Sequence, residues 1–147
     1  MNKNGLNLKI DYGMKAIDFF KNDQYAALTG VELLEIKLGY AKAQLIIEPR
    51  HMNAGNTTQG GVIFTLADFV IAAASNSHGK LAVTVTGSIN FLRGSKPGDI
   101  LYAEAKELFL HKRLGCYQVD VTNQNNELIA TLEGTVYRKD VTLEIET

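Results

Sequence analysis

The chain is poor in several residue types, and each shortage excludes a class of function. One cysteine in 147 residues, Cys116, rules out an internal disulfide and any cysteine-based zinc cluster. The three histidines, His51, His78 and His111, have no metal-ligand spacing, so neither a metal nor a cofactor is expected. Only two prolines, Pro49 and Pro97, interrupt the sequence; neither marks a linker, and no repeat or low-complexity tract is found, so 1–147 reads as one domain. Excess charge is lacking too: 15 Lys and Arg against 16 Asp and Glu leave a net charge of -1. With no basic run beyond Lys112-Arg113, nucleic acid is not an expected partner. The stretch from Met1 to Tyr12 carries asparagines where a secretory signal needs an apolar core. The longest apolar run, 62–74, contains Thr65 and Asp68 and is too short to span a bilayer. No membrane partner is expected, and the expected compartment is the reducing cytoplasm.

What remains is an ordinary globular composition, 46% hydrophobic and 21% charged, able to bury a core. The spacing predicts a first helix over 14–28, with a break or bend at Lys21-Asn22-Asp23 and a stop at Gly30. Strand patterns follow at 31–37 and 40–48, either side of a Leu38-Gly39 turn. In the second of these, Ala41, Ala43, Leu45 and Ile47 alternate with Lys42, Gln44 and Glu48, as in a half-buried strand. A long helix is predicted over 59–77, closed by Gly79. Eleven of the fifteen residues from Val62 to Asn76 are apolar, so it should be buried around nearly its whole circumference. Four further strands are predicted over 81–92, 99–110, 114–123 and 127–138. Their connections are short, which predicts antiparallel neighbours. The fold class is α+β: a curved antiparallel sheet wrapped around a long central helix.

The chemistry concentrates in 51–79, HMNAGNTTQGGVIFTLADFVIAAASNSHG. Asp68 falls in the middle of the apolar helix, where an aspartate is a poor helix former and costly to bury unpaired. It is either a packing carboxylate bonded to a nearby hydroxyl or amide, or a general base or nucleophile tuned by burial. Gly60-Gly61 opens the same helix, where backbone N–H groups lack partners and the macrodipole favours negative charge. Without side chains in the way, those amides can approach a substrate oxygen. Eight residues separate Gly60 from Asp68, about 12 Å along a helix, so one chain cannot bring both to one carbonyl carbon. If they cooperate, a second subunit supplies one of them, and a two-fold dimer holds two composite sites.

Asn53, Gln59-Gly60-Gly61, Leu66-Ala67-Asp68, Asn76-Ser77, Gly79 and the later run Ile89-Asn90-Phe91-Leu92-Arg93 together form a joint pattern. In this pattern the chain resembles the acyl-CoA thioesterases of the hotdog superfamily, specifically the phenylacetate-pathway, PaaI-like group. The resemblance spans about 14–138 and implies a hotdog fold and hydrolysis of an acyl- or aryl-CoA to free acid and coenzyme A. It implies that Asp68 is the catalytic carboxylate, as general base or nucleophile. Gly60 would offer its N–H to the thioester oxygen, Asn53 would orient the carbonyl or the attacking water, and Thr84 would help position the water or carboxylate. Gln59 and Gly61 would line the substrate beside them, with Arg93 and Lys96 meeting the phosphates or the pantetheine entrance of coenzyme A. Self-association as a dimer or homotetramer is expected. Two departures are evident: Gln59 stands where the family usually has histidine, and Gly94 where it commonly has proline.

A second reading keeps the fold without the chemistry, as an acyl-CoA-binding or sensing protein, with Gln59 as its clue. A dehydratase of the same fold would need a histidine and an acid in its site, and no histidine lies on this helix before His78. The histidines read as surface or turn residues, Cys116 as a core or half-buried thiol, and Phe64, Phe69 and Phe91 as core rather than a ligand box, with a place in the lining of the acyl channel left open for some of them.

Overall fold

The computed structural model describes residues 16–143. Its elements are α1 (Gln24–Thr29), β1 (Glu32–Lys37), β2 (Tyr40–Ile46), a 3-10 turn (Pro49–His51), α2 (Gly60–Asn76), β3 (Lys80–Phe91), β4 (Ile100–Leu110), β5 (Leu114–Thr122) and β6 (Leu128–Thr142). The predicted first helix is broken where its polar residues stand. A helical stretch over 16–20 ends in a turn at Lys21-Asn22, and Asp23 caps α1 by accepting from Ala26 N at 2.9 Å. Gly30 closes α1 at φ 99°, a left-handed cap that glycine enters without strain. The start expected at Met14 lies outside the described residues.

All strands pair antiparallel in one sheet of order β1-β2-β4-β5-β6-β3. One inference from loop length fails. The loop 92–99 does not join neighbours, because β5 and β6 lie between β3 and β4. Three strand spacings are about 14 Å, well within reach of such a loop, so a short connection did not require pairing. The register shifts at Leu33/Glu35, Thr84/Thr86 and Glu107/Phe109, bulges of the kind that bend a strand and increase its twist.

The core lies between the concave sheet face and α2. Ala41, Ala43, Ala103 and Ala105 are fully buried opposite Ala67, Ala73 and Ala74, small residues on both sides that bring helix and sheet close. Gly134 also permits a close approach: a Cβ there would stand 2.6 Å from Ile71 Cδ1. At the end of α2 farthest from Gly60, side chains tie helix to sheet. Asn76 Nδ2 donates to Ala82 O and its Oδ1 accepts from Ala82 N, while Ser77 Oγ accepts from Gly39 N. Glu107 Oε2 meets His78 Nε2 at 2.6 Å and accepts from the buried Tyr117 hydroxyl at 2.7 Å. Burial and this carboxylate together push the Tyr117 phenol up. The Asn76-Ser77 part of the sequence pattern therefore serves the fold.

His51, expected on a surface or turn, lies in the 3-10 turn but is buried at 4% exposure. Its Nδ1 accepts from Glu48 N at 2.9 Å, so Nε2 carries the proton and donates to Thr29 O at 2.7 Å, joining the turn to the end of α1.

Candidate active site

The N-terminus of α2 is held in place before any chemistry is considered. Thr58 N and Oγ1 both donate to Ser95 O, and Ser95 Oγ donates to Thr58 Oγ1 at 2.7 Å, a buried clasp between the helix entry and the loop 92–99. Leu92 N and Arg93 N both donate to Ile129 O, which fixes the same loop to β6. Gly60, Asn53, Phe91 and Arg93 thereby line one cavity of about 360 Å³.

The two glycines answer different demands. A Cβ on Gly61 would stand 2.6 Å from Gln59 Oε1, because the Gln59 side chain folds back and accepts from Gly61 N at 2.6 Å. Gln59 is therefore the N-cap of α2, at φ -63° and ψ 133°. A Cβ on Gly60 would stand 2.9 Å from Phe91 Cζ, because the Phe91 ring lies directly over it. Gly61 N–H is spent on the cap. Gly60 N–H has no acceptor among the described residues, at a helix end whose dipole favours negative charge.

Asp68 sits one turn beyond Phe64, whose ring lies against β3: a Cβ on Gly87 would be 3.2 Å from Phe64 Cζ. Asp68 is half-buried, in a stripe with Gly61, Thr65 and Ala72 that the chain's own sheet does not cover. Its carboxylate has no hydrogen bond and no ion pair among the described residues, so the packing role considered from sequence has no partner to support it. Thr84 is half-buried on β3, just before the bulge and between the exposed Val83 and Val85.

The remaining expected residues divide. Asn53 reaches the cavity, but its amide builds the adjoining loop: Oδ1 accepts from Gly55 N and Thr57 N, and Nδ2 donates to Thr57 Oγ1. Arg93 Nη1 pairs with Glu127 Oε2 at 3.0 Å, whereas the exposed Lys96 ammonium makes no hydrogen bond or ion pair among the described residues and acts on Asp99 only through its charge. Lys96 N donates to Asp99 Oδ2. Phe91, expected in the core, is 53% exposed at the cavity mouth. Sequence reasoning missed Glu127 entirely; the only cue was the polar turn Asn123-Gln124-Asn125-Asn126 before it. Among the described residues no group of acidic, histidine or cysteine side chains is arranged to hold a metal, and no helix is long and apolar enough to cross a membrane.

Residues 55–130 match the family model described as the thioesterase superfamily. A protein of Archaeoglobus fulgidus described as an esterase is 45% identical over 81% of this chain and 77% of its own length. The acyl-coenzyme A thioesterase PaaI of Escherichia coli is 31% identical over 81% of this chain and 85% of its own. The solved structure of E. coli PaaI superposes with a TM-score of 0.84, covering 89% of this chain and 98% of that one at 30% identity. A Streptococcus mutans protein solved with acetyl-CoA bound is 27% identical, with a TM-score of 0.72 over 75% of this chain and 89% of its own.

Proposed function

Because the chain belongs to the thioesterase superfamily and has its hotdog fold, we propose that it hydrolyses an acyl- or aryl-CoA thioester to the free acid and coenzyme A. The observation that carries this reading is a pair of unpartnered groups on one helix: the Gly60 N–H beside a cavity and the half-buried carboxylate of Asp68. The first suits an oxygen that gains negative charge, and the second suits the attack that puts the charge there. Asp68 either takes a proton from water as that water adds to the carbonyl, or adds to the carbonyl itself as an anhydride that water then opens. Both routes expel the coenzyme thiolate. Asn53 holds the loop that walls the site and keeps one Nδ2 hydrogen for the substrate. Gln59 keeps the helix end open by capping Gly61, a role that needs no histidine. Thr84 supports the water or the carboxylate, and Arg93 and Lys96 receive the phosphates.

The active form is a two-fold dimer, for two reasons. Gly60 and Asp68 are about 12 Å apart along α2, against the roughly 3 Å that reacting groups require. And β3 is a twelve-residue edge strand with one side unpaired, carrying exposed Val83, Val85 and Phe91. Pairing two β3 edges covers both and brings Asp68 of one copy toward the helix end of the other. Exposed Phe109, Leu114 and Tyr137 on the outer sheet face support further association of dimers into a tetramer.

The test is a panel of acyl- and aryl-CoA substrates assayed for free thiol, with size measured by light scattering on the same sample. Thiol release by an oligomer is the expected result. A folded protein that releases thiol from no member of the panel defeats the reading.

A further inference from the structure

Two cavities meet at Arg93. The inner one holds Gly60; the outer one, about 420 Å³, lies between the loop 92–99 and the β5–β6 turn and is lined by Asn56, Lys96, Asn125 and Glu127 among others. Arg93 lines both. On the reading that this is a coenzyme A thioesterase, the geometry points to Glu127 as the residue that sets how tightly the coenzyme's phosphates are held, by keeping Arg93 in an ion pair that a phosphate must displace.

Glu127 is anchored independently of Arg93. Its Oε1 accepts from Asn123 Nδ2 at 3.1 Å, and Asn123 is a buried residue whose Oδ1 accepts from Asn125 N and Glu127 N, each at 3.0 Å. When the pair opens, the carboxylate stays and the arginine moves. Arg93 is suited to that: its side chain is 57% exposed, only Nη1 engages Glu127, and Gly94 follows it. The charges nearest the outer cavity also cancel, Arg93 and Lys96 against Glu127 and Asp99. A ligand carrying several phosphate charges therefore meets no net attraction until Arg93 exchanges its carboxylate for a phosphate oxygen, an acceptor its planar fork fits equally well. Glu127 thus makes coenzyme binding a displacement at Arg93.

The experiment measures the Kd of coenzyme A itself by calorimetry, and kcat and KM for one acyl-CoA and for the matching acyl-N-acetylcysteamine, which has no phosphate. Glu127→Gln keeps the side-chain shape and the carbonyl that Asn123 needs. It should lower Kd for coenzyme A and KM for acyl-CoA together by about threefold to fivefold, the upper part of the range that an exposed ion pair supports, while the phosphate-free thioester serves as the control. In an Arg93→Ala background the gain should shrink below about twofold. Equal gains in both backgrounds would mean that the carboxylate acts only through its field and would overturn the inference. So would weaker coenzyme binding, with Glu127 then a prop for Arg93, or a parallel change in the phosphate-free control. A wild-type protein that binds coenzyme A and cleaves its thioesters while Glu127→Gln alters neither defeats this inference alone. One that does neither defeats the thioesterase reading first.

Discussion

Gly60 occupies the first position of α2, the one place in a helix where proline fits well, because the N–H there has no intrahelical acceptor. Gln59 before it already has φ -63° and ψ 133°, the extended backbone that a residue preceding proline adopts. Gly60→Pro can therefore delete the proposed oxyanion donor while leaving the helix intact. The one obstacle is the Phe91 ring, 2.9 Å from where a Cβ would stand. Phe91→Ala removes it, and because that ring is 53% exposed, the loss should be well below the ~3–5 kcal/mol of a core phenylalanine. In the Phe91→Ala background, Gly60→Ala keeps the donor and Gly60→Pro removes it, at nearly equal helix stability. If this N–H receives the thioester oxygen, its removal lowers kcat by about 10²–10³, or ~2.7–4 kcal/mol of transition-state stabilisation. The two variants should melt within about 4 °C of each other, which for this chain length is ~1 kcal/mol. Turnover is read as thiol release from an acyl-CoA. A folded proline variant with kcat within about threefold of the alanine variant would refute the oxyanion role of Gly60.

Two more predictions follow from the same geometry. Asp68→Asn should lower kcat by at least about a hundredfold with no loss of Tm, since the carboxylate has no partner to lose; mixed and exchanged with Gly60→Pro/Phe91→Ala chains, it should regain activity in hybrids that hold one intact site, and no regain despite exchange shown by mass spectrometry would rule out a shared site. Asp99 is held below its ordinary value of 3.8, first by the hydrogen bond from Gln124, then by Lys96 N–H, against the opposing effect of burial. Its contribution is complete above the unfolded pKa and is lost as pH falls through the lower folded value, so an acid titration of Tm should be flatter for Asp99→Asn, and parallel curves would refute the assignment.

Much of the fold was legible because periodicity reports burial. The alternations in β2, β5 and β6 and the nearly unbroken apolar run of α2 each place one face against the same core, and their bounds fall within a few residues of those expected. The strand order was not legible from loop length, because a loop fixes only a maximum distance and 92–99 had length to spare. In the site, the polar residues on α2 stood out against an apolar background, which is how Asp68 and the glycines were found. Phe91 did not stand out: an aromatic in a strand looks like core, and only the register of β3, which pairs Phe91 with Ala130 at the strand's last position, places its ring over Gly60. Nor could the pairing of Arg93 with Glu127 be read, since 34 residues separate them in sequence and only the β3–β6 ladder brings them together.

The glycine pair and the lone aspartate also differ in what they ask of the fold. Gly60 and Gly61 are stabilised where they stand: one by the fit of Phe91, the other by the Gln59 cap. Asp68 is not. A second copy closing on the β3 edge withdraws water from a carboxylate that already lacks a partner, and desolvating an unpaired charge opposes association. The same withdrawal strengthens every interaction between that carboxylate and a reacting carbonyl. A residue kept for chemistry at an interface should therefore weaken the interface it occupies. On this argument Asp68→Asn, while abolishing turnover, should hold the dimer together at lower protein concentration than the wild type. A dimer that dissociates more readily in Asp68→Asn would mean that the carboxylate has found a stabilising partner across the interface, and its role would then be structural at least in part.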